Sequence, residues 1–325
     1  MRQTYIGKLF GGLAMAAMLA APGGAAFASD YPSKPIRLIV PFAPGGAVDQ
    51  IGRTLSGRLG DILGQSVIVE NRAGASGSVG AAEVARSAPD GYTLGLALDS
   101  HAVNHHMVSN LPFDTFQSFD YLSLLVTLPQ VLVTRADYPV NTIPGLVEHI
   151  KQNKNVSYGS AGTGSAGHVN TATMTVHYGI EPTHIPYRGA GPLLVDLLGG
   201  HIDFAFAGLS VMLPQIEAGT LTAVAISTAE RSPKVPDVPT VAESIPGFEI
   251  PTWIGLVAPA GLQPEVRERI LAALRETMKT PEIREKLEGS AFNIVVSTPE
   301  DFLERARADD KTMRDLVQRG VIEFD

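Results

Sequence analysis

The sequence contains no cysteine among its 325 residues, so disulfide bonds and thiol nucleophiles are excluded from its chemistry. A lipid anchor that needs a thiol is excluded for the same reason. Charged residues are also few, at 18%, and the 33 acidic residues outnumber the 25 Lys and Arg residues, for a formal charge of -8. This acidic balance argues against nucleic acid and anionic membranes as main partners, although local donors could still bind a small anion.

Long hydrophobic runs are missing as well, apart from one near the N-terminus. Arg2 and Lys8 precede an apolar run over residues 9–21, which is shorter than the roughly 20 residues that a membrane-spanning helix needs. Small residues at Ala26 and Ala28 follow at the spacing that a signal peptidase recognises. We therefore predict that residues 1–28 are an export signal cleaved near Ala28. The mature protein is expected in the periplasm, without a lipid anchor and with a formal charge of -10.

The rest of the chain alternates apolar runs with amphipathic stretches, which is typical of βαβ units. One unit is predicted to have strands at 35–40, 66–70 and 92–98 and helices at 47–63 and 77–88. A similar unit has strands at 155–161, 183–187 and 202–209 and helices at 164–178 and 190–198. Residues 120–140, 221–227 and 252–259 favour further strands, and 264–278 and 299–318 favour helices.

This order predicts an α/β fold with two similar lobes, each a mostly parallel sheet flanked by helices. The C-terminal helices are expected to return to the first lobe. The predicted domains are therefore 29–129 plus 251–325 for the first lobe and 130–250 for the second.

Glycine-rich turns follow the first strand of each unit, at Gly45-Gly46 and at 162–167. Ligands of open α/β sheets bind at the carboxyl ends of the strands, where the free N–H groups of helix N-termini favour anions. Thr163, Ser165 and His168 would bring further donors to the second turn. Asp49, at the beginning of the first helix, is either a capping residue or part of a ligand site. A carboxylate held between the lobes is the expected ligand.

Two other kinds of chemistry are weighed against this interpretation. The stretch GTGSAG at 162–167 matches a dinucleotide fingerprint, and Arg188 after the next strand would suit a 2′-phosphate, so an NAD(P)-dependent oxidoreductase stays the alternative. A serine hydrolase is disfavoured because Thr163 stands where its motif needs glycine.

The stretch DSHAVNHH at 99–106 could place His101 and His105 on one helix face for a metal, but Ala102 replaces the catalytic Glu of zinc peptidases. A loop near the cleft is preferred for this stretch, and no metal is expected. Since no catalytic set emerges, we expect a binding protein that is not an enzyme and needs no cofactor. A scaffold or adhesion protein on the same fold is a third possibility.

The motifs resemble the Bug family of periplasmic solute-binding receptors, which serve tripartite tricarboxylate transporters. The resemblance rests on YPSKPIRLIVPFAPGGAVD at 31–49, YGSAGTGSAGH at 158–168, IPYRGAGPLLVDLLGGHIDFAF at 185–206 and WIGLVAPAG at 253–261. It implies a Venus-flytrap fold of the periplasmic-binding-protein type that closes on a small carboxylate in the interlobe cleft. It also implies delivery to integral-membrane transporter subunits, and we expect a monomer.

The resemblance also implies a set of ligand-binding residues. They lie in or beside the two glycine-rich turns, after the strands at 92–98 and 183–187, and within the strand at 202–209. They are Phe42, Gly45, Gly46, Asp49, Ser100, Gly162, Thr163, Gly164, Ser165, His168, Arg188 and Ala207. The family often has a polar or acidic residue where this chain has Ala207-Gly208. A ligand with a less polar distal end than an amino acid, such as an aromatic or aliphatic carboxylate, is therefore expected.

Overall fold

A computed structural model describes residues 31–108 and 110–318 of the chain. The predicted export signal lies outside these residues. Eleven strands are formed within the described residues: β1 (Ile36–Val40), β2 (Val67–Asn71), β3 (Thr93–Leu98), β4 (Phe119–Leu128), β5 (Gln130–Arg135), β6 (Ser157–Ser160), β7 (Thr183–Pro186), β8 (Phe204–Gly208), β9 (Leu221–Ile226), β10 (Thr252–Pro259) and β11 (Asn293–Ile294).

The strands alternate with helices along most of the chain. The α-helices are α1 (Ala47–Leu63), α2 (Ser78–Ala85), α3 (Asp99–Met107), α4 (Ile143–Gln152), α5 (Ala166–Tyr178), α6 (Ala190–Gly199), α7 (Leu209–Glu217), α8 (Pro264–Lys279), α9 (Pro281–Gly289) and α10 (Pro299–Gln318). Among the described residues, no helix combines the length and the apolar character needed to cross a membrane.

The strands form two sheets flanked by helices, which confirms the two-lobed α/β fold. The first sheet has the order β11-β4-β10-β3-β1-β2, and the second has the order β7-β6-β8-β5-β9. Only the strands of the βαβ units pair in parallel, β2-β1-β3 in one sheet and β7-β6-β8 in the other. The other pairs are antiparallel, so the sheets are mixed rather than mostly parallel. The reason is that β5 and β10, by which the chain enters each sheet from the other lobe, run opposite to the neighbouring strands of the βαβ units.

The chain passes between the two sheets at Pro129 and again along residues 227–251. Strands of the first sheet come from 36–128 and 252–294, and those of the second come from 130–226. From Pro32 onward the chain forms one compact unit, so the predicted domain limits stay a prediction.

The C-terminal helix α10 packs on the first sheet, as the sequence predicts. Its Phe302 is fully buried against the ring of Trp253 on β10, at a centroid separation of 5.2 Å. Gly255, two residues further along β10, leaves the space that the Phe302 ring occupies, since a Cβ there would collide with the ring. The strand β10, which follows the second crossing between the lobes, is therefore buried along all eight of its residues.

Four helices differ from the sequence prediction. Residues 99–107 form helix α3 rather than the preferred loop, because the stretch packs against α10 far along the chain. Helices α4, α7 and α9 were not predicted. Of these, α7 replaces the end of the strand predicted at 202–209 and contains Pro214, which obscures a helical pattern.

Candidate functional site

A cavity of about 40 Å³ lies between the two sheets, at the carboxyl ends of their parallel strands. Both lobes line it, because the turn after β1 meets the turns after β6, β7 and β8. The lining residues are Phe42, Gly46, Ala47, Val48, Leu98, Leu128, Gln130, Ala161, Ser165, Ala166, Gly167, Gly189, Ala190, Gly208 and Thr252.

Most of this lining consists of helix beginnings. The first turns of α1, α5 and α6 face the cavity, and their N-cap residues Gly46, Ser165 and Gly189 make no side-chain capping hydrogen bond. Gly208, the N-cap of α7, also lines the cavity, but the next N–H, that of Leu209, donates to the Pro129 carbonyl at 2.9 Å. The first N–H groups of a helix have no partner within it, so three helices present donors and partial positive charge to one small space. At α5 the first of these groups, the N–H of Ala166, also interacts with the Asp99 carboxylate, which leaves the N–H groups that follow it.

Ser165 strengthens this picture because serine is among the best capping residues. Its backbone is extended, as an N-cap requires, and the residue is almost fully buried. Nevertheless its hydroxyl neither caps α5 nor has any other partner among the residues that the structure describes. A buried hydroxyl without a partner costs free energy, so its presence at the cavity indicates a group that a ligand would satisfy.

The lobes touch at the rim of the cavity. The N–H of Ala43 in the first lobe donates to the carbonyl of Arg188 in the second, at 3.0 Å. Gly191 approaches the Pro44 carbonyl so closely that a Cβ at Gly191 would collide with it. The two lobes are therefore in direct contact at this rim of the cavity.

Asp49 lies beside the cavity and points into its own turn. Its carboxylate accepts hydrogen bonds from the Gly45 N–H at 3.0 Å, Arg53 Nε at 2.9 Å and Asn71 Nδ2 at 2.9 Å. Burial by itself would raise the pKa of Asp49, but these donors and the charge of Arg53 bring that pKa below its ordinary value. The structure thus places Asp49 as a charged residue that shapes the 42–49 turn.

His168 holds the second glycine-rich turn in a similar way. Its Nδ1 accepts the Gly164 N–H at 3.1 Å, and its ring stacks on His184 at 4.2 Å. His184 in turn bonds Ser160 Oγ at 2.7 Å. Burial lowers the pKa of His168 to about 4 and that of His184 to about 3, so both rings are neutral near pH 7.

The structure brings Phe42, Gly46 and Ser165 of the predicted site to the cavity. Ser100 lies in the first lobe, where its hydroxyl donates to the Ser76 carbonyl at 3.0 Å. The remaining predicted residues lie outside the cavity lining: Gly45, Asp49, Gly162, Thr163, Gly164, His168, Arg188 and Ala207. Without a bound ligand, the predicted set as a whole stays a prediction.

The glycine-rich turn at 162–167 does not offer an open cradle for a dinucleotide. A Cβ at Gly162 would touch Ser76 and one at Gly164 would collide with Met107, so first-lobe side chains cover both glycines. The pyrophosphate of a dinucleotide needs that space. The geometry therefore gives the oxidoreductase alternative no support.

Sequence reasoning missed the parts of the lining that come from the third turn and from the crossing strands. Gly189 and Ala190 begin α6, and the small residues after Arg188 were a usable signal for them. Gln130 and Thr252 lie where the chain crosses between the lobes, and no local pattern marks them.

Asp99 was also missed as a residue that joins the lobes. It is buried at the beginning of α3, where its carboxylate accepts a hydrogen bond from the hydroxyl of Thr252 and one from the Ser100 N–H at 2.7 Å. It also interacts with the backbone N–H of Ala166 at the beginning of α5. Burial is the main reason that the pKa of Asp99 rises to about 7.

Two mixed α/β lobes with a cavity between them, lined by helix N-termini, define the class of two-lobed solute-binding proteins. Residues 51–319 match the sequence profile of the tripartite tricarboxylate transporter family receptor, and the chain belongs to that family. It is 34% identical to protein BugT of Bordetella pertussis over 304 residues, which are 92% of each chain.

Solved structures of related proteins have the same fold. The periplasmic binding protein BugD is 30% identical with a TM-score of 0.87, over 91% of this chain and 100% of BugD. A Rhodopseudomonas palustris protein, Rpa4515, solved with adipate, is 28% identical with a TM-score of 0.85, over 89% of this chain and 98% of its own. MatC of the same organism, solved with malate, is 26% identical with a TM-score of 0.83, over 88% of this chain and 100% of MatC. The predicted family is thus confirmed, and with it membership of a class of periplasmic solute-binding proteins.

Proposed function

We propose that the chain captures a small organic carboxylate in the cavity between its lobes and delivers it to integral-membrane transporter subunits. The observation that carries this proposal is the convergence of α1, α5 and α6 on one cavity without a side-chain cap at any of the three N-termini. Such donors bind anions, carboxylates among them.

Hydrogen bonds and helix dipoles together are strong enough for a negatively charged protein to bind a carboxylate. Each hydrogen bond from a backbone N–H to a carboxylate contributes about 1.5 to 3 kcal/mol, and each helix dipole adds about 0.3 to 1 kcal/mol. Four or five such bonds, less the cost of ordering, reach micromolar affinity, or about -8 kcal/mol. The local field of the three helices thus outweighs the formal charge of -8 spread over the whole chain.

The lining favours an aliphatic or aromatic acid over an amino acid. Apart from Ser165, Gln130 and Thr252, the cavity is lined by glycine and apolar residues, and no charged side chain is among the lining residues that the structure describes. An α-ammonium group would therefore lack an anionic partner. The adipate and malate bound by two related proteins support a dicarboxylate as the class to test first.

Lobe closure would make such a protein useful to a transporter. The Ala43–Arg188 hydrogen bond and the Gly191–Pro44 contact exist only while the lobes are together, so a membrane partner could distinguish the loaded form from the empty one. Export through a signal at residues 1–28, a periplasmic location and the absence of catalysis belong to the same proposal.

The ligand proposal is tested by calorimetry with adipate, malate and benzoate, using adipamide as an uncharged control. Ala47→Pro is the informative variant, because proline at the first position of α1 removes one cavity-facing N–H and keeps the helix. Gly46 before it has the extended backbone (φ -83°, ψ 170°) that a following proline requires. Ala47→Gly retains the N–H and is the matched control.

We expect at least one acid to bind and adipamide not to bind. Affinity should fall roughly tenfold or more in Ala47→Pro, since one charge-assisted hydrogen bond is lost, and change little in Ala47→Gly. Equal affinity in the two variants, or no heat from any of the acids at millimolar concentration, would contradict the proposal. Delivery is tested separately by uptake of the labelled acid in cells with and without the chain. Unchanged uptake would refute the membrane step alone.

A further inference from the structure

Two histidines and an aspartate come together away from the cavity, and solute binding makes no use of them. His105 and His106 lie in the last turn of α3, and Asp310 lies on α10. The Nε2 atoms of His105 and His106 are 2.9 Å and 2.6 Å from the same atom, Asp310 Oδ1. The three candidate ligand atoms all lie within 4.8 Å of one another. We propose that they form a binding site for a divalent transition-metal ion of the zinc class.

The donor chemistry selects this class of metal. Two imidazole nitrogens and one carboxylate oxygen suit Zn²⁺ and its neighbours Co²⁺ and Ni²⁺, whereas Mg²⁺ and Ca²⁺ prefer all-oxygen sites. Ligand atoms around a tetrahedral zinc ion are about 3.3 Å apart. Asp310 Oδ1 would therefore move away from the ring nitrogens by less than about 1 Å, and the two ring nitrogens, which lie within 4.8 Å of each other, would adjust to the same spacing. The His105 side chain is 33% exposed, which leaves a fourth position open to water.

Neighbouring groups orient two of the three ligands. Arg314 donates to Asp310 Oδ2 at 2.8 Å, which leaves Oδ1 for the metal. Thr115 Oγ1 lies 3.4 Å from His105 Nδ1, which leaves Nε2 of that ring for the metal. Such outer partners are typical of metal sites. The negative end of the α3 dipole favours a cation here, while the charge of Arg314 opposes one, so we expect weaker binding than at a closed structural zinc site.

The proposed site departs from the sequence-based expectation of no metal. The sequence pattern pointed to His101 together with His105, but His101 is buried among the rings of Phe113, Phe119 and Tyr121. The aspartate that completes the site is 204 residues from His106, beyond the reach of any local motif. Met107, the next residue, packs against Gly164, so a metal would also fix the end of α3 that touches the second lobe.

The proposal is tested on untagged, chelator-treated full-length protein titrated with ZnCl₂, and with MgCl₂ as the control metal. We expect one Zn²⁺ per chain with a rise in Tm, and no response to Mg²⁺. His106→Ala and Asp310→Asn should each weaken Zn²⁺ binding at least roughly tenfold. His177→Ala, which removes an exposed histidine elsewhere, should leave binding unchanged.

A further variant separates ligation from a merely structural role. Because the chain has no cysteine, His106→Cys would introduce its single thiolate at the site. The Co²⁺-loaded variant should show a thiolate-to-cobalt charge-transfer band in the near ultraviolet, which the loaded wild type lacks. Zn²⁺ binding that persists in both His106→Ala and Asp310→Asn, absence of that band, or absence of Zn²⁺ binding by the wild type would overturn the proposal.

Discussion

Two helices of the second lobe begin with a hydroxyl residue, and the two hydroxyls behave differently. At α4, Thr142 Oγ1 accepts the Gly145 N–H at 3.2 Å, which is an ordinary N-cap. At α5, Ser165 has the same extended backbone and an equally suitable side chain, yet its hydroxyl has no partner. Residue type does not explain this difference, and the two residues differ in location, since Ser165 lines the cavity and Thr142 does not.

Other helices show this difference in N-terminal capping only in part. Thr298 caps α10 by accepting the Asp301 N–H at 3.1 Å, and Thr240 forms a capping box with Glu243. These helix beginnings lie outside the cavity lining, and α1 and α6 begin at the cavity with glycine and no cap. However, α2, α8 and α9 also begin without a side-chain cap although they lie outside the lining, so a missing cap alone does not mark the cavity. A glycine N-cap costs only a few tenths of a kcal/mol relative to a capping side chain, so the unused hydroxyl of Ser165 is the more informative feature of the cavity.

The largest expected effect concerns Asp99, the carboxyl group of the first lobe that interacts with the beginning of α5. Its pKa of about 7 in the folded chain exceeds the ordinary 3.8, so the folded state binds more protons than the unfolded state between these values. Its contribution to stability is therefore fully present below about pH 4 and is lost as the pH rises to about 7, by at most about 4 kcal/mol.

Asp99→Asn should remove that pH dependence. The measurement is urea unfolding of wild type and variant at several pH values, with Asp61→Asn, on the exposed face of α1, as the matched control. If the stability difference between wild type and Asp99→Asn does not change with pH in this range, the carboxyl is not held in the way that the structure indicates.

The next effect tests whether Asp49 is committed to its own turn, as Thr142 is to its helix. Asp49→Ala removes three hydrogen bonds, one of them to Arg53, and should lower the free energy of unfolding by about 2 to 3 kcal/mol. The pKa of Asp49 is depressed, so its contribution is present at neutral pH and is lost as the pH falls through that pKa. A variant of normal stability that no longer binds the ligand would show that Asp49 contacts the ligand directly.

Ser165→Ala should show the opposite behaviour. The hydroxyl makes no bond in the free protein, so we expect unchanged or slightly higher stability. Ligand affinity should fall roughly tenfold, or about 1.4 kcal/mol, because the ligand loses a buried donor. Thermal melting measures the first quantity and calorimetry the second. A clear loss of stability without a change in affinity would mean that Ser165 is an ordinary cap.

Thr142→Ala completes the comparison with the smallest effect. It removes a cap remote from the cavity, so it should cost about 1 kcal/mol of stability and leave ligand affinity unchanged. The same melting and calorimetry experiments provide the measurement. Weaker ligand binding in this variant would mean that a cap far from the cavity also influences ligand affinity. A loss of affinity in Ser165→Ala would then no longer indicate contact between Ser165 and the ligand.

Local pattern was sufficient to predict most of the fold. The strands β3 and β10 are almost entirely apolar, as a sheet buried on both faces requires, and β1 departs from this pattern only at Arg37. Helix α1 carries a clear amphipathic repeat. Helix α3 was misjudged because its mixed sequence becomes helical through contacts with α10, which follows it by about 200 residues. The orientation of the crossing strands likewise depends on how the lobes connect, and no short window of sequence contains that information.

The candidate site was likewise predictable from the sequence only in part. The turn glycines were predictable, since Gly45 and Gly164 have positive φ values, 84° and 74°, that favour glycine. Which polar groups turn toward the cavity was not predictable. Asp49 and His168 have the chemistry of ligand-binding residues but bond to their own turns, while the backbone of α6 and the crossing residue Gln130 reach the cavity. Side-chain direction depends on contacts made between the lobes.

The narrow contact between the lobes at Ala43 and Arg188 has a practical consequence. Arg188 is exposed at the seam, and the chain has no thiol of its own that could react with a label. A single cysteine introduced there would carry one environment-sensitive dye beside the contact between the lobes, which the proposed function requires to open and close. The receptor could then serve as an optical sensor that reports its solute directly, without a coupled assay or a transporter.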